Sequence, residues 1–390
     1  MFVLFLTVVI DLIGFGMIIP ILPFAAPRFG ASPLDIALLV VSYSVCGALV
    51  SPLWGRLSDR WGRKKTLLTC LAGTGFCYVL LGFASTLTGL YAVRILAGCF
   101  SGNFGVASAM AADMSTPQTR ARAMGTVGAA FGLGMVVGPT LGGLLAGPEA
   151  SLMRPAFVAA AMSLTAIILG AFLLRETVPS HRAPAGKSES MHALLARTGN
   201  TSLVAQFLAI TGAISTISYL FPLAAGHFLN WGPHQVGIVF GIQGLAMAAL
   251  QFGLTGPLVR RFGEMGLLRF ALSAMIAGFC LAAAAHTEVL LLISFFVVVT
   301  GASCCTPVLN TLLSNRTPLH LRGRMMGTSS AASAWGRVFG PLVAGLALSG
   351  FGYGAAWLVG GLTVITVLVW TVRTRLQPAS PEALVPVAKA

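Results

Sequence analysis

The chain has 390 residues, 56% of them apolar and 9% charged, with a formal net charge of +14 and a mean hydropathy of +0.89. A soluble domain carries roughly 25% charged residues, so these proportions exclude one and point to an integral membrane protein. The basic excess would suit a nucleic-acid partner if it were spread evenly, but it collects in alternate loops and is therefore a topology signal.

Polar breaks divide the sequence into twelve apolar stretches, at 2–25, 35–57, 66–85, 88–112, 123–146, 155–174, 202–228, 235–259, 266–286, 288–314, 325–349 and 352–372. Each is close to the roughly 20 residues that cross a bilayer as a helix. Met1 opens almost directly into the first stretch with no basic flank or cleavage site, so that segment reads as retained. Arg56, Arg60, Arg63, Lys64 and Lys65 lie between stretches two and three, and Arg120 and Arg122 between four and five. Arg175, Arg182, Lys187 and Arg197 occupy the central connection, and Arg260, Arg261, Arg269, Arg316, Arg322, Arg324, Arg373 and Arg375 complete the set. The intervening loops hold only Arg28 and Arg154, beside Asp35, Glu149 and Glu288. Cytoplasmic loops accumulate Lys and Arg, which predicts a multi-pass protein of the cell (inner) membrane with both termini in the cytoplasm.

Residues 175–201, with Pro179, Pro184, Gly186, Ser188 and mixed charges, read as a cytoplasmic linker between a bundle at 1–174 and a second at 202–373. The tail at 374–390, with Pro378, Pro381 and Pro386, reads as disordered. Cys46, Cys70, Cys77, Cys99 and Cys280 are scattered over different stretches and Cys304 and Cys305 are adjacent, so no metal-ligand spacing occurs and reduced thiols are expected.

The two halves repeat one another about 200 residues apart. Gly55-Arg56-Leu57-Ser58-Asp59-Arg60-Trp61-Gly62 returns as Gly256-Pro257-Leu258-Val259-Arg260-Arg261-Phe262-Gly263. Thr116-Pro117 with Arg120, Arg122 and Gly125 returns as Thr317-Pro318 with Arg322, Arg324 and Gly327, and Gly138-Pro139 returns as Gly340-Pro341. Parallel repeats of a multi-helix unit are an architecture of secondary transporters, with the site at the repeat interface near the midplane. The expected fold class is an all-α membrane protein of twelve transmembrane helices in two six-helix bundles related by pseudo-two-fold symmetry.

These residues carry a family resemblance. The run Gly55-Arg56-Leu57-Ser58-Asp59-Arg60-Trp61-Gly62-Arg63-Lys64-Lys65 resembles the loop-two signature of the major facilitator superfamily. Gly134, Gly138-Pro139 and Gly142-Gly143 resemble the antiporter motif of its proton-coupled drug exporters. Asp11 with Gly14, Gly16, Pro20 and Pro23, the stretch Arg94-Ile95-Leu96-Ala97-Gly98, Ala112-Asp113, and Gln251 to Pro257 are similar to tetracycline/proton antiporters. The resemblance spans Asp11 to about Gly361. It implies proton-coupled efflux of amphipathic small molecules such as tetracycline-like drugs. Transport of an endogenous metabolite by the same fold is the alternative, and sodium remains open as the coupling ion.

Physical chemistry gives the motifs separate roles. Asp59, at the cytoplasmic end of stretch two, can accept hydrogen bonds from the N-terminus of stretch eleven, where backbone donors and the helix dipole favour an anion. Arg63 can pair with Asp113, as the resemblance implies. With Gly55, Arg60 and Gly62 they would form a cytoplasmic gate; solvated loop charges are the other reading, worth under about 1 kcal/mol each. Gly134, Gly138 and Gly142 recur on one helix face and permit close approach of a neighbour, while Pro139 favours a bend. Static packing would use the same pattern.

Asp11 lies nine residues into the first stretch, about 13 Å from its inner end. An unpaired carboxylate at that depth costs at least about 2.5 kcal/mol, so it should be paired or protonated. Arg94 in stretch four is the expected partner, and a carboxylate alternating between proton-bound and Arg-paired states would carry protons. A structural ion pair is the other reading. Arg337, halfway through stretch eleven, has no carboxylate in the second half at its depth and must reach a carbonyl, a polar pocket, water or an anionic substrate group.

Candidate substrate contacts are Phe24, Asn103 and Phe104 in the first half and Tyr219, Gln243, Gln251, Asn310 and Arg337 in the second. Tetracycline antiporters usually carry further acids in stretches three and nine; Cys77 occupies the first place here, and Gly266 to His286 contains no acid. No clustered nucleophile and base, and no nucleotide-binding Gly-Lys-Ser/Thr loop, suggests an enzyme or ATP-driven pump. A channel would want more polar lining. The expected partners are protons, a small-molecule substrate and the lipid bilayer, with no cofactor, metal, nucleic acid or obligate protein partner.

Overall fold

The computed structural model describes residues 1–116, 119–147, 149–177, 195, 200–317 and 322–373. Most of the expected linker and the whole 374–390 tail lie outside the described residues. Among the described residues the architecture is helical, with no strand. We label the helices α1 (Phe2–Ile18), α2 (Pro33–Trp61), α3 (Arg63–Gly82), α4 (Leu87–Cys99), α5 (Asn103–Asp113) and α6 (Arg120–Ala146). The series continues with α7 (Met153–Leu173), α8 (Thr201–Leu229), α9 (Pro233–Ala249), α10 (Thr255–Ala283), α11 (Glu288–Arg316) and α12 (Arg322–Arg373).

Local chemistry explains the ends. The Ser32 hydroxyl accepts from Asp35 N at 3.2 Å while Asp35 Oδ2 accepts from Ser32 N at 2.9 Å, a reciprocal cap that starts α2. Thr86 Oγ1 accepts from Gly89 N at 3.1 Å and starts α4. The chain leaves α1 at Ile18 and passes through Pro20, Pro23 and Pro27 in two short turns, Leu22–Ala25 and Ala26–Phe29.

Among the described residues, ten helical spans, with α4 and α5 taken as one, are long and apolar enough to cross a membrane. Two contain reversals that yield the further crossings. At about 1.5 Å per residue, the 52 residues of α12 would be more than twice as long as a bilayer core of about 30 Å. The helix is broken at Gly352, where φ is 82°. In α10 the break is Gly263 with φ 69°, so its first turns continue α9 through the wide π turn Leu250–Leu254. Pro257, which has no N–H to offer Gly253 O, accounts for the wide turn. Both reversals use the left-handed region that only glycine enters without strain. With them the chain makes the twelve crossings of the predicted fold class.

One compact unit comprises Met1–Pro184 with Phe221–Ala246, and the other Ala185–Leu220 with Met247–Ala390. The core of the first gathers Leu4, Val8 and Leu12 of α1, Leu67 and Leu71 of α3, Val106, Ala107 and Met110 of α5, and Val127 and Ala130 of α6. In the second, α10 packs on α11 and α12, with Phe279 and Trp357 side by side at 6.4 Å. Phe172, Phe270 and Phe351 stand 83%, 72% and 84% exposed. An outward-facing apolar ring is at no cost where the solvent is hydrocarbon.

Candidate functional site

Asp11 sits in the middle of α1 at 4% exposure. Its Oδ2 accepts from the Asn103 side-chain amide, while its Oδ1 has no hydrogen-bond partner. A small cleft at this point is lined by Thr7, Val8, Asp11, Leu67, Asn103 and Phe104, among others. Asn103 is the first residue of α5, and its own Oδ1 accepts from Phe104 N at 3.0 Å. The carboxylate thus lies at the start of a helix, where the dipole favours negative charge. One amide bond and a helix end only partly offset the loss of water, because a buried carboxylate needs its remaining lone pairs satisfied as well.

The expected Asp11–Arg94 ion pair is not formed. Arg94 is buried at 8% exposure, but its Nε donates to Leu39 O at 3.2 Å and its Cζ stands 4.5 Å from the centre of the Tyr43 ring. A carbonyl and an aromatic face, both from α2, replace the carboxylate as its neighbours. The reason is depth. Asn103 marks the level of Asp11, and the helical residues from Arg94 to Cys99 alone put about 8 Å of axis between Arg94 and that level.

The crossing also breaks between them. Phe100, Ser101 and Gly102 leave the helix between α4 and α5, where the sequence had predicted an unbroken 88–112. The carbonyl of Cys99, released by the break, accepts from Trp54 Nε1 at 2.7 Å.

At the turn between α2 and α3, the structure brings Arg63, Asp59 and Asp113 together. Arg63 Nε lies 2.8 Å from Asp113 Oδ2, and its Nη1 lies 2.7 Å from Asp59 Oδ1 and donates to Ser58 Oγ at 2.5 Å. The Arg63 and Asp113 side chains are 11% and 17% exposed, whereas Asp59 is 51% exposed. The inner pair therefore carries most of the energy, and the outer one is screened. Gly62 turns the chain with φ 102°, and a Cβ there would lie 2.6 Å from the carboxyl carbon of Glu176. That carboxylate accepts from Lys64 N at 2.9 Å and so caps the start of α3. Gly55 and Arg60 are exposed on α2, and no described ion pair includes Arg60.

The glycines of α6 form a seam with α1. A Cβ at Gly134 would stand 2.5 Å from Leu12 Cβ, one at Gly138 2.7 Å from Ile13 O, and one at Gly142 would collide with Met17 O. The seam thus sets α6 directly against the turns of α1 that follow Asp11. Pro139 lies within α6 without ending it, and a Cβ at Gly237 of α9 would meet its carbonyl at 2.7 Å. Gly143 faces Gly237 too, its added Cβ coming 3.0 Å from the Gly237 Cα, while Thr140 Oγ1 donates to Gly237 O at 3.3 Å.

The substrate candidates divide evenly between the compact units. In the first, Phe24 is half-buried beside Gly226, Phe104 packs edge-on against Phe131 at 5.4 Å, Gln243 is half-buried on α9, and Asn103 serves Asp11. In the second, Tyr219 is buried, Asn310 is half-buried on α11, and Gln251 and Arg337 are exposed. Sequence reasoning missed Tyr43 as a cradle for Arg94, Trp54 as a brace, Ser58 as a ligand of Arg63 and Glu176 as a cap. It also missed that Asn103 and Asp11 belong together. Two polar side chains at membrane depth in one half are a signal that could have paired them.

Comparison with known proteins agrees with this architecture. The sequence model of the Major Facilitator Superfamily matches residues 4–228 and 202–389. The chain is 28% identical over 379 residues to the class C tetracycline resistance protein of Escherichia coli, covering 93% of each. It is 28% identical over 341 residues to multidrug resistance protein 1 of Bacillus subtilis, covering 86% of each. Among solved structures, the human organic anion transporter MFSD10 superposes with a TM-score of 0.70 at 22% identity, over 95% of this chain and 98% of that one. The nucleoside transporter NupG superposes with a TM-score of 0.68 at 15% identity, over 96% and 100%. At such identities the structures speak for the fold. The chain, a multi-pass membrane transporter and not an enzyme, belongs to the Major Facilitator Superfamily.

Proposed function

We propose that the protein is a proton-coupled exporter of amphipathic small molecules, with both termini in the cytoplasm and Asp11 as its proton carrier. The observation that carries this reading is a carboxylate at 4% exposure with one oxygen bonded to Asn103 and the other unpartnered. The ionised form is held by the amide and the start of α5. A proton arriving at Oδ1 removes a charge that the apolar surroundings disfavour. Arg94 enters as a fixed positive charge elsewhere in the bundle, not as the alternating partner. Arg63, Asp59 and Asp113 form a latch on the cytoplasmic end that opens and closes with the transport cycle.

Relatives named for tetracycline and multidrug resistance support export. Cys77, buried in α3, and the acid-free stretch from Gly266 to His286 speak against a chelated-metal substrate and for a broader amphipathic class. The test is transport in proteoliposomes under an imposed pH gradient, with tetracycline and a lipophilic dye as probes. Gradient-driven movement of a probe is expected for the unaltered chain, and its loss is expected in Asp11→Asn that still folds. Uphill transport retained by that variant would remove Asp11 from the mechanism.

A further inference from the structure

α5 touches both charged centres at its two ends. Its first residue, Asn103, bonds to Asp11, and its last, Asp113, pairs with Arg63 at 2.8 Å. The helix has 11 residues, so the two contacts are about 15 Å apart along a continuous rod. It is uncoupled from α4 by the non-helical Phe100–Gly102 step, and that step is held from outside. The Phe100 ring covers Gly73 of α3, Trp54 leaves no room for a side chain on Gly102, and Trp54 Nε1 holds Cys99 O. Val106, Ala107, Met110 and Ala111 join an apolar cluster with Leu4, Val8, Leu67 and Leu71, and Ser108 bonds within its own helix. Among the described residues, the side-chain bonds that tie α5 to other helices are the two at its ends, and just before its start the Gly102 backbone bonds Cys70 of α3.

We propose that α5 is a coupling rod that transmits the charge state of Asp11 to the Arg63–Asp113 pair, with Asn103 as the positioning residue that senses the carboxylate. This rests on the reading of Asp11 as the proton carrier. When Asp11 is ionised, Oδ2 accepts a charge-assisted bond from Asn103 Nδ2. When one proton forms an O–H bond at Oδ1, the charge is lost, the Asn103 bond weakens, and α5 is released at its upper end. The displacement reaches the other end of the rod at Asp113. The titratable groups near Asp11 are Cys70 and Tyr78 of α3. α5 presents the amide of Asn103, and α6 and α7 carry titratable residues only at their starts, Arg120, Arg122 and Arg154. None of these can substitute for the Asn103 contact as a link to Asp113.

The test is hydrogen–deuterium exchange of the full chain in lipid nanodiscs at mildly alkaline pH, read on peptides covering Trp61–Lys64 and Asp113–Ser115. The unaltered chain is compared with Asp11→Asn, Asn103→Leu and the double variant. Asp11→Asn, which mimics the protonated acid, is expected to change exchange at these peptides about tenfold, about 1.4 kcal/mol of local opening. In the Asn103→Leu background the same substitution is expected to change it less than about twofold. An Asp11→Asn response of equal size in both backgrounds, or none at the hairpin, overturns the rod. If Asn103→Leu fails to fold, Asn103→Ser, which is too short to reach, takes its place. Uphill transport retained by Asp11→Asn would defeat the carrier reading, whereas lost transport with an Asn103-independent exchange response would defeat the rod alone.

Discussion

The hairpin at Gly62 and its repeat at Gly263 share a backbone and differ in charge. Both turn on a glycine in the left-handed region, with φ 102° and 69°. In the first, Arg63 is 9% exposed and lies between Asp59 and Asp113. In the second, Glu264 stands in the place of Arg63, Arg260 in that of Asp59, and Ser314 in that of Asp113. No ion pair forms there among the described residues. The same contrast runs through the helix seams. Gly134 and Gly138 of α6 meet α1 beside a buried acid, while Gly336 and Gly340 of α12 meet Gly212 of α8, where Thr216 Oγ1 donates to Gly340 O at 3.1 Å and no acid is present. Duplication preserved what steric packing demands. Charge chemistry, which packing does not enforce, remained with the first repeat.

The largest expected effect breaks the comparison at its charged centre. Asp11→Asn should lower pH-gradient-driven transport in proteoliposomes at least about a hundredfold, the equivalent of about 2.7 kcal/mol, whereas Glu264→Gln should leave it within about twofold. Equal losses would mean that the repeats share the coupling. Next, Asp113→Ala removes the more buried partner of a guanidinium that keeps Asp59 and Ser58, and should destabilise the folded chain by about 2 kcal/mol, seen as a lowered midpoint in thermal unfolding in detergent. Ser314→Ala, at the matching place, should change it by less than about 0.5 kcal/mol.

The seams should respond alike. Gly138→Val and Gly340→Val each push a side chain into a facing helix backbone and should cost about 1–3 kcal/mol, measured by the same unfolding. A large effect in one repeat alone would show that the seams are not equivalent. The smallest expected effect separates the two partners of Arg63. Asp59→Asn, at a half-exposed carboxylate, should cost under about 1 kcal/mol, well below Asp113→Ala.

Much of this was readable from the chain. Apolar runs of bilayer length, glycine-anchored repeats and basic loops follow from the absence of water in the membrane, which forces helices and leaves little freedom in where polar residues go. The Arg63–Asp113 pairing was legible because the loop signature and Ala112-Asp113 resemble those of the family, and because a charge at a helix end has few other neighbours. The expected neighbour of Arg94 is not the one the structure gives it, for the opposite reason. Within a crossing, the sequence shows that a charge must have company but not at which depth its neighbours lie. The break at Phe100–Gly102 was missed because Gly98, Ser101 and Gly102 are common in membrane helices. Their meaning here depends on Trp54 and Gly73 from other helices.

By itself, then, the sequence determined the solvent, the number of crossings, the duplication and which residues carry charge at depth, since each is a property of composition and spacing along one helix. Only the tertiary structure decided who neighbours whom. Asp11 went to Asn103, Arg94 to Leu39 O and Tyr43, and the capping of α3 to Glu176. These choices depend on the axial registry of helices distant in sequence. Registry is set by the sum of many small packing contacts that no single motif encodes.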